Sequence, residues 1–96
     1  MEWVVGAGEL SRELKVINEY GIHARPAALI VKEAGRFTAD IYLEKDGNKV
    51  SCKSIMGLMT VEGFPGSQVR VSALGADAEA ALDALEALFA AKFHES

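Results

Sequence analysis

Thr38-Ala39-Asp40-Ile41-Tyr42-Leu43-Glu44-Lys45-Asp46-Gly47-Asn48-Lys49-Val50-Ser51-Cys52-Lys53 decides the fold. From Thr38 to Glu44 apolar and polar residues alternate, with Ala39, Ile41 and Leu43 on one side and Asp40, Tyr42 and Glu44 on the other. That period of two describes a strand with one face buried. Asp46-Gly47 is a strong hairpin signal, because a tight turn between twisted strands needs positive φ at its centre. Asn48 to Lys53 then returns, with Val50 and Cys52 inward. Two antiparallel neighbours are thereby expected, strands 2 and 3 of whatever sheet they join.

Upstream, Leu14 and Val16 alternate with Glu13 and Lys15 in a first strand running from Glu9 towards Asn18. Residues 24–36 predict a helix. At 100° per residue, Ala27, Ile30, Val31 and Ala34 form its core stripe, while Arg25, Leu29, Lys32 and Arg36 fall on the opposite, outward side. Downstream, Ser54 is a natural N-cap for a short helix over Ile55 to Val61. Too many apolar residues crowd that helix for all to face inward, so part of Ile55, Met56 and Met59 should be exposed. Gln68 to Ala73 reads as a fourth strand. Asp77 is the expected N-cap of a last helix whose core face is Ala78, Ala81, Leu82, Leu85, Leu88 and Phe89.

The order is β-α-β-β-α-β-α, an α+β open-faced sandwich with its helices on one face of a four-stranded antiparallel sheet. Strands 1 and 2, separated by a helix, cannot be sequential antiparallel neighbours. Strand 4 fits between them, and the sheet order is 1-4-2-3. Residues 9–96 make one domain. Residues 1–8, which end in Gly-Ala-Gly, are set apart as an extension and a candidate for disorder; Trp3, Val4 and Val5 could dock on the domain.

Half of the 96 residues are hydrophobic and a quarter charged, as in ordinary soluble domains. The net charge of −4 argues against a general nucleic-acid binder. No apolar run reaches membrane-spanning length, and the first residues lack a secretory signal, so the cytoplasm is the expected location. Cys52 is alone and suits a buried position; no disulfide, metal site or cofactor is expected. Residues 23–53 carry six basic and four acidic groups, whereas 1–22 carry two and four, and 54–96 two and six. The one positive region begins at His23, which points to an anionic group or an acidic partner there.

Gly21-Ile22-His23-Ala24-Arg25-Pro26 opens that region. Pro26 suits the first turn of a helix, where its missing N–H is no loss. The unpaired backbone N–H groups of such a start, here Ala24 and Arg25, attract anions, phosphate above all. Arg25 adds a forked cation that matches a phosphate. Nucleophilic attack by the His23 imidazole on a phosphoryl group is the favoured chemistry; a local helix cap beside a solvated arginine is the plainer alternative. Lys32 and Arg36, aligned behind the pair with Leu29, form a candidate docking strip. His94 falls in a segment read as frayed and receives no role.

Three motifs, Gly-Ile-His-Ala-Arg-Pro-Ala (21–27), Lys-Ser-Ile-Met-Gly-Leu-Met (53–59) and Ser-Ala-Leu-Gly-Ala-Asp (72–77), resemble those of the HPr family. These are the histidine-containing phosphocarriers of the bacterial phosphoenolpyruvate-dependent phosphotransferase system, and the resemblance spans about Ser11 to Lys92. It implies a carrier, not an enzyme. His23 would accept a phosphoryl group on Nδ1 from phospho-Enzyme I and hand it to EIIA domains for sugar uptake, with Arg25 assisting. Ser54 matches the serine phosphorylated by HPr kinase/phosphorylase, and Ile55, Met56 and Met59 match the partner-docking patch. A transcription regulator is a further implied partner, and a monomer is expected. Tyr20 before the glycine, the Phe64-Pro65 loop and the extension depart from the usual pattern. They leave the nitrogen-related or a purely regulatory paralogue as the alternative. An acylphosphatase-like hydrolase would share the plan of elements but needs a Gly-rich phosphate loop after strand 1, which is not found.

Overall fold

The computed structural model describes residues 8–95; the expectation for residues 1–7 lies outside them. The elements are β1 (Glu9–Lys15), α1 (Ala24–Ala34), β2 (Asp40–Lys45), β3 (Asn48–Ser51), α2 (Ile55–Met59), β4 (Gln68–Leu74) and α3 (Ala78–Ala90), followed by a 3-10 turn over Lys92–His94. The sheet order is β1-β4-β2-β3, and every pair is antiparallel. The expected topology is therefore the observed one. Its hairpin turns at Asp46 (φ 53°) and Gly47 (φ 81°), the paired positive values that a two-residue turn between twisted strands requires.

Alternation sets the two faces. Leu14, Ile41, Leu43, Val69, Val71 and Ala73 are buried beneath the helices, with Val16 continuing the same row past β1. Ile30, Leu58, Leu82 and Leu85 supply the helical half of the core. α3 lies against β1, β4 and β2, and α1 packs on both α2 and α3. Arg12, at the margin of the helical face, reaches Asp83 (2.7 Å) and Glu86 (2.8 Å) on α3. The opposite face carries polar pairs such as Arg70–Glu13 at 2.7 Å.

Three expectations need correction. Val31, assigned to the core stripe, does pack against the core but is only half-buried, and the fully buried row of α1 is Pro26, Ala27, Ile30 and Ala34. Leu29, assigned outward, is partly buried against the core. At 100° per residue it lies within reach of the packed side, and burial of its methyl groups draws it in. Asp77 occupies the N-cap position of α3, but its side chain makes no cap hydrogen bond. Its carboxylate instead accepts from the backbone amides of Thr38 and Ala39, both at 2.9 Å, and from the Thr38 hydroxyl at 3.3 Å. Those bonds satisfy the two amides that precede β2, which starts at Asp40, opposite the last residue of β4, Leu74.

The Thr38 amide, with Ala39 behind it, holds the Asp77 carboxyl below its ordinary value. A depressed carboxyl stabilises the fold above its unfolded pKa, and that contribution disappears as pH falls through the lower folded value. Asp77→Ala should accordingly lower the melting temperature at pH 7. The gap from the parent should narrow below about pH 4, where the unfolded carboxyl begins to protonate. Thermal melts across pH 2 to 7 check this, and a gap independent of pH would remove the carboxylate from the account.

Candidate phosphoryl-acceptor site

The loop ahead of α1 is held from three sides. Asn18, almost wholly buried, donates through Nδ2 to the Gly21 carbonyl at 2.8 Å and to Glu95 Oε2 at 2.7 Å. The Ile22 amide donates to the Gly63 carbonyl at 2.9 Å. Gly21 has φ +70°, and a Cβ there would stand 2.2 Å from that same Gly63 oxygen. The turn into His23 thus requires glycine on two counts, backbone angle and space.

His23 is the N-cap residue of α1 by position, and its carbonyl accepts from the Ala27 amide at 2.9 Å. Its ring makes no cap bond, which disposes of the plainer alternative of a capping histidine. The side chain is 44% exposed, with the Tyr20 ring edge-on at 6.1 Å between centroids. Tyr20 therefore packs beside the site. Ala24 and Arg25, both exposed, form the first turn with Pro26, where amides have no acceptor inside the helix.

His23 Nε2 lies 3.3 Å from Glu95 Oε2. Burial alone would raise the Glu95 carboxyl, but hydrogen bonds from Asn18, His23 and the Tyr20 backbone amide together outweigh it, and the group sits below its ordinary value. Sequence reasoning missed Glu95 and read this segment as frayed. Residues 92–94 instead turn back with φ of 55°, 54° and 59°, and Phe93 is completely buried, its ring 4.9 Å from that of Phe89. A lone aromatic after a helix was the only local signal. His94 is exposed and lines a shallow concavity with Glu33, Arg36, Ala84, Ala87 and Leu88.

A second cluster surrounds α2. Ser54 caps this helix as expected, its Oγ accepting from the Gly57 amide at 3.0 Å. Leu58 points into the core, while Ile55 (45%), Met56 (80%) and Met59 (49%) are exposed. Gly57 leaves the hydroxyl room, since a Cβ there would sit 3.2 Å from Ser54 Oγ. α2 packs on α1, so this apolar trio and the basic side chains of α1 belong to neighbouring helices. Lys32 is exposed. Arg36 lies beyond the last turn of α1, pairs with Glu33 and covers the Phe37 ring at 5.5 Å.

A family model described as the PTS HPr component phosphorylation site matches residues 10–91. The HPr-like protein Crh of Bacillus subtilis is 49% identical over 81% of this chain and 92% of its own length. Phosphocarrier protein HPr of Treponema pallidum is 46% identical over 88% of this chain and 96% of its own. Among solved structures, HPr-C-His from Thermoanaerobacter tengcongensis superposes with a TM-score of 0.86 at 44% identity, covering 91% of this chain and 98% of the other. An HPr dimer from the same organism gives 0.73 at 42%, covering 99% and 100%, so these relatives lend no support to the expected monomer. With the motif match running from β1 through α3 on a shared fold, the chain belongs to the HPr family of phosphotransferase-system phosphocarriers.

Proposed function

We propose that this chain carries a phosphoryl group on His23, taking it from phospho-Enzyme I and passing it to EIIA domains in a sugar-uptake pathway of the cytoplasm. The observation that carries the reading is the half-exposed imidazole at the start of α1, with Nε2 turned to Glu95 and Nδ1 left for attack. In the forward step the Nδ1 lone pair forms a bond to phosphorus, the bond from phosphorus to its carrier atom on the donor breaks, and that atom leaves with the electron pair. The amides of Ala24 and Arg25 and the Arg25 guanidinium face charge that is redistributed over the moving oxygens, where donors set in advance contribute most. Transfer to the next protein reverses these events, so the chain shuttles the group and catalyses no net hydrolysis. Lys32 offers long-range attraction to an acidic partner. Incubation with phosphoenolpyruvate and Enzyme I should add one phosphoryl group, labile in acid and stable in base, by intact-protein mass spectrometry. An unchanged mass would overturn the reading.

A regulatory role at Ser54 has its own support in the cap geometry and in the likeness to Crh. A kinase that modifies Ser54 would place close to two negative charges at the start of α2, within reach of backbone donors and beside Ile55, Met56 and Met59. The fold should tolerate that charge, while an acidic partner approaching the same face should be repelled. A basic partner such as a transcription regulator would gain a contact. Ser54→Asp should therefore melt no lower than the parent yet accept phosphate on His23 several-fold more slowly. Parental transfer rates in a fully Ser54-phosphorylated sample would reduce this residue to a helix cap.

A further inference from the structure

We propose that Glu95 is a positioning residue for the His23 acceptor, selecting the imidazole tautomer with its proton on Nε2 and so keeping the Nδ1 lone pair free. The proposal rests on the phosphocarrier reading for its purpose, though not for its geometry. Nε2 stands 3.3 Å from Glu95 Oε2, so a proton on that nitrogen has a carboxylate to accept it. The opposite tautomer would set a lone pair against an ionised oxygen, an unfavourable contact.

The carboxylate is not a chance surface neighbour. Its side chain is only 14% exposed, and the same Oε2 is gripped by Asn18 Nδ2 at 2.7 Å. The second hydrogen of that amide is committed to the Gly21 carbonyl, so one buried asparagine aligns the turn before His23 and the carboxylate beside it. Asn18 Oδ1 is also buried without a hydrogen-bond partner among the described residues, and the Tyr20 backbone amide is a further donor to the Glu95 carboxylate. The cluster is thus rich in acceptors, and a proton on the facing ring nitrogen suits it.

The backbone that delivers Glu95 is costly to form. Lys92, Phe93 and His94 all take positive φ, a region that side-chain-bearing residues visit singly and seldom in succession. The completely buried Phe93 anchors the turn from below. Such local strain, held by a core anchor and ending at a reactive side chain, is a pattern of functional sites.

The same arrangement serves the transfer step. When Nδ1 bonds to phosphorus and the donor's bond to phosphorus breaks, the acceptor ring becomes positively charged with its Nε2 proton still in place. Glu95 faces that charge through the proton and stabilises it without removing it. The role is that of a carboxylate that orients and supports an imidazole.

The test is the 15N spectrum of the His23 ring in the full chain, read in the parent and in Glu95→Gln. Glutamine keeps the shape and an acceptor for Asn18, and contacts between the Phe89 and Phe93 rings report whether the segment stays docked. In the parent at a pH where the ring is neutral, Nε2 should carry the proton. In Glu95→Gln the two nitrogens should move towards sharing it, and transfer from Enzyme I should slow by roughly tenfold, the lower end of the scale seen for carboxylates that orient metal-ligating histidines. Parental ring shifts in a docked Glu95→Gln chain would overturn the proposal whatever the rate. If the parent took no phosphate from Enzyme I, the carrier reading would fall, while the ring shifts would still decide whether Glu95 governs the tautomer. Should Glu95→Gln undock, the parent still decides: a neutral ring with its proton on Nδ1 would overturn the proposal, and Nε2 protonation that weakens in Glu95→Asp, whose shorter side chain draws the carboxylate back, would support it.

Discussion

His23→Ala should emerge from phosphoenolpyruvate and Enzyme I with its mass unchanged, a complete loss of phosphoryl uptake. No rate reduction short of this is expected, because the substitution removes the attacking nitrogen itself and leaves only the surroundings. His94 cannot take over. It follows α3 and does not open a helix, so no set of first-turn amides faces its ring. His94→Ala should retain full uptake and serve as the control. Phosphoryl label persisting in His23→Ala would move the acceptor elsewhere and with it the meaning of Arg25, Asn18 and Glu95.

The second large effect is expected at Gly21. A methyl group there meets the Gly63 carbonyl at 2.2 Å and must also sit on a backbone angle of +70°. The left-handed angle costs roughly 1–2 kcal/mol and the overlap roughly 1–3 kcal/mol. Gly63 cannot simply retreat, because its carbonyl accepts from the Ile22 amide and its Cα side packs on the Ile22 side chain. Gly21→Ala should therefore melt roughly 8–40 °C below the parent, at about 4–8 °C per kcal/mol for a chain of this size. A calorimetric scan measures it. A shift of only a degree or two would mean that the turn before His23 can be remade without the Gly63 contact.

How much of this was legible depended on how far apart the partners lie in the chain. The β2–β3 hairpin was readable because its alternation and its Asp46-Gly47 turn are local, and α1 because three and four residues separate its contacts. The sheet order followed from connectivity alone. Leu29 was misread because its position borders both sides of the helix, and only the packing of α1 on α2 and α3 decides it. Asp77 has the residue type of a cap, but its acceptor oxygens are claimed by amides near residue 38, a competition no local pattern reveals. Glu95 was invisible for the same reason in stronger form: its partners at 18 and 23 are 77 and 72 positions away. The proposed acceptor histidine could be nominated from six residues; the carboxylate that faces its ring could not.

The sheet order also sets a timetable. β1 is made first, yet among the described residues its only neighbour in the sheet is β4, which begins at Gln68. Until then its backbone groups have no ladder to join, and the hairpin of β2 and β3 is the one pairing available to a growing chain. Bringing distant strands together carries a closure cost that local contacts avoid, so this pairing belongs to the slow part of folding. The loop before His23 waits longer still, since it needs Gly63 and then Glu95 to hold it. The proposed acceptor site is consequently completed last, and a chain still on the ribosome presents its Gly-Ile-His-Ala-Arg-Pro motif without the framework that holds it in the folded protein.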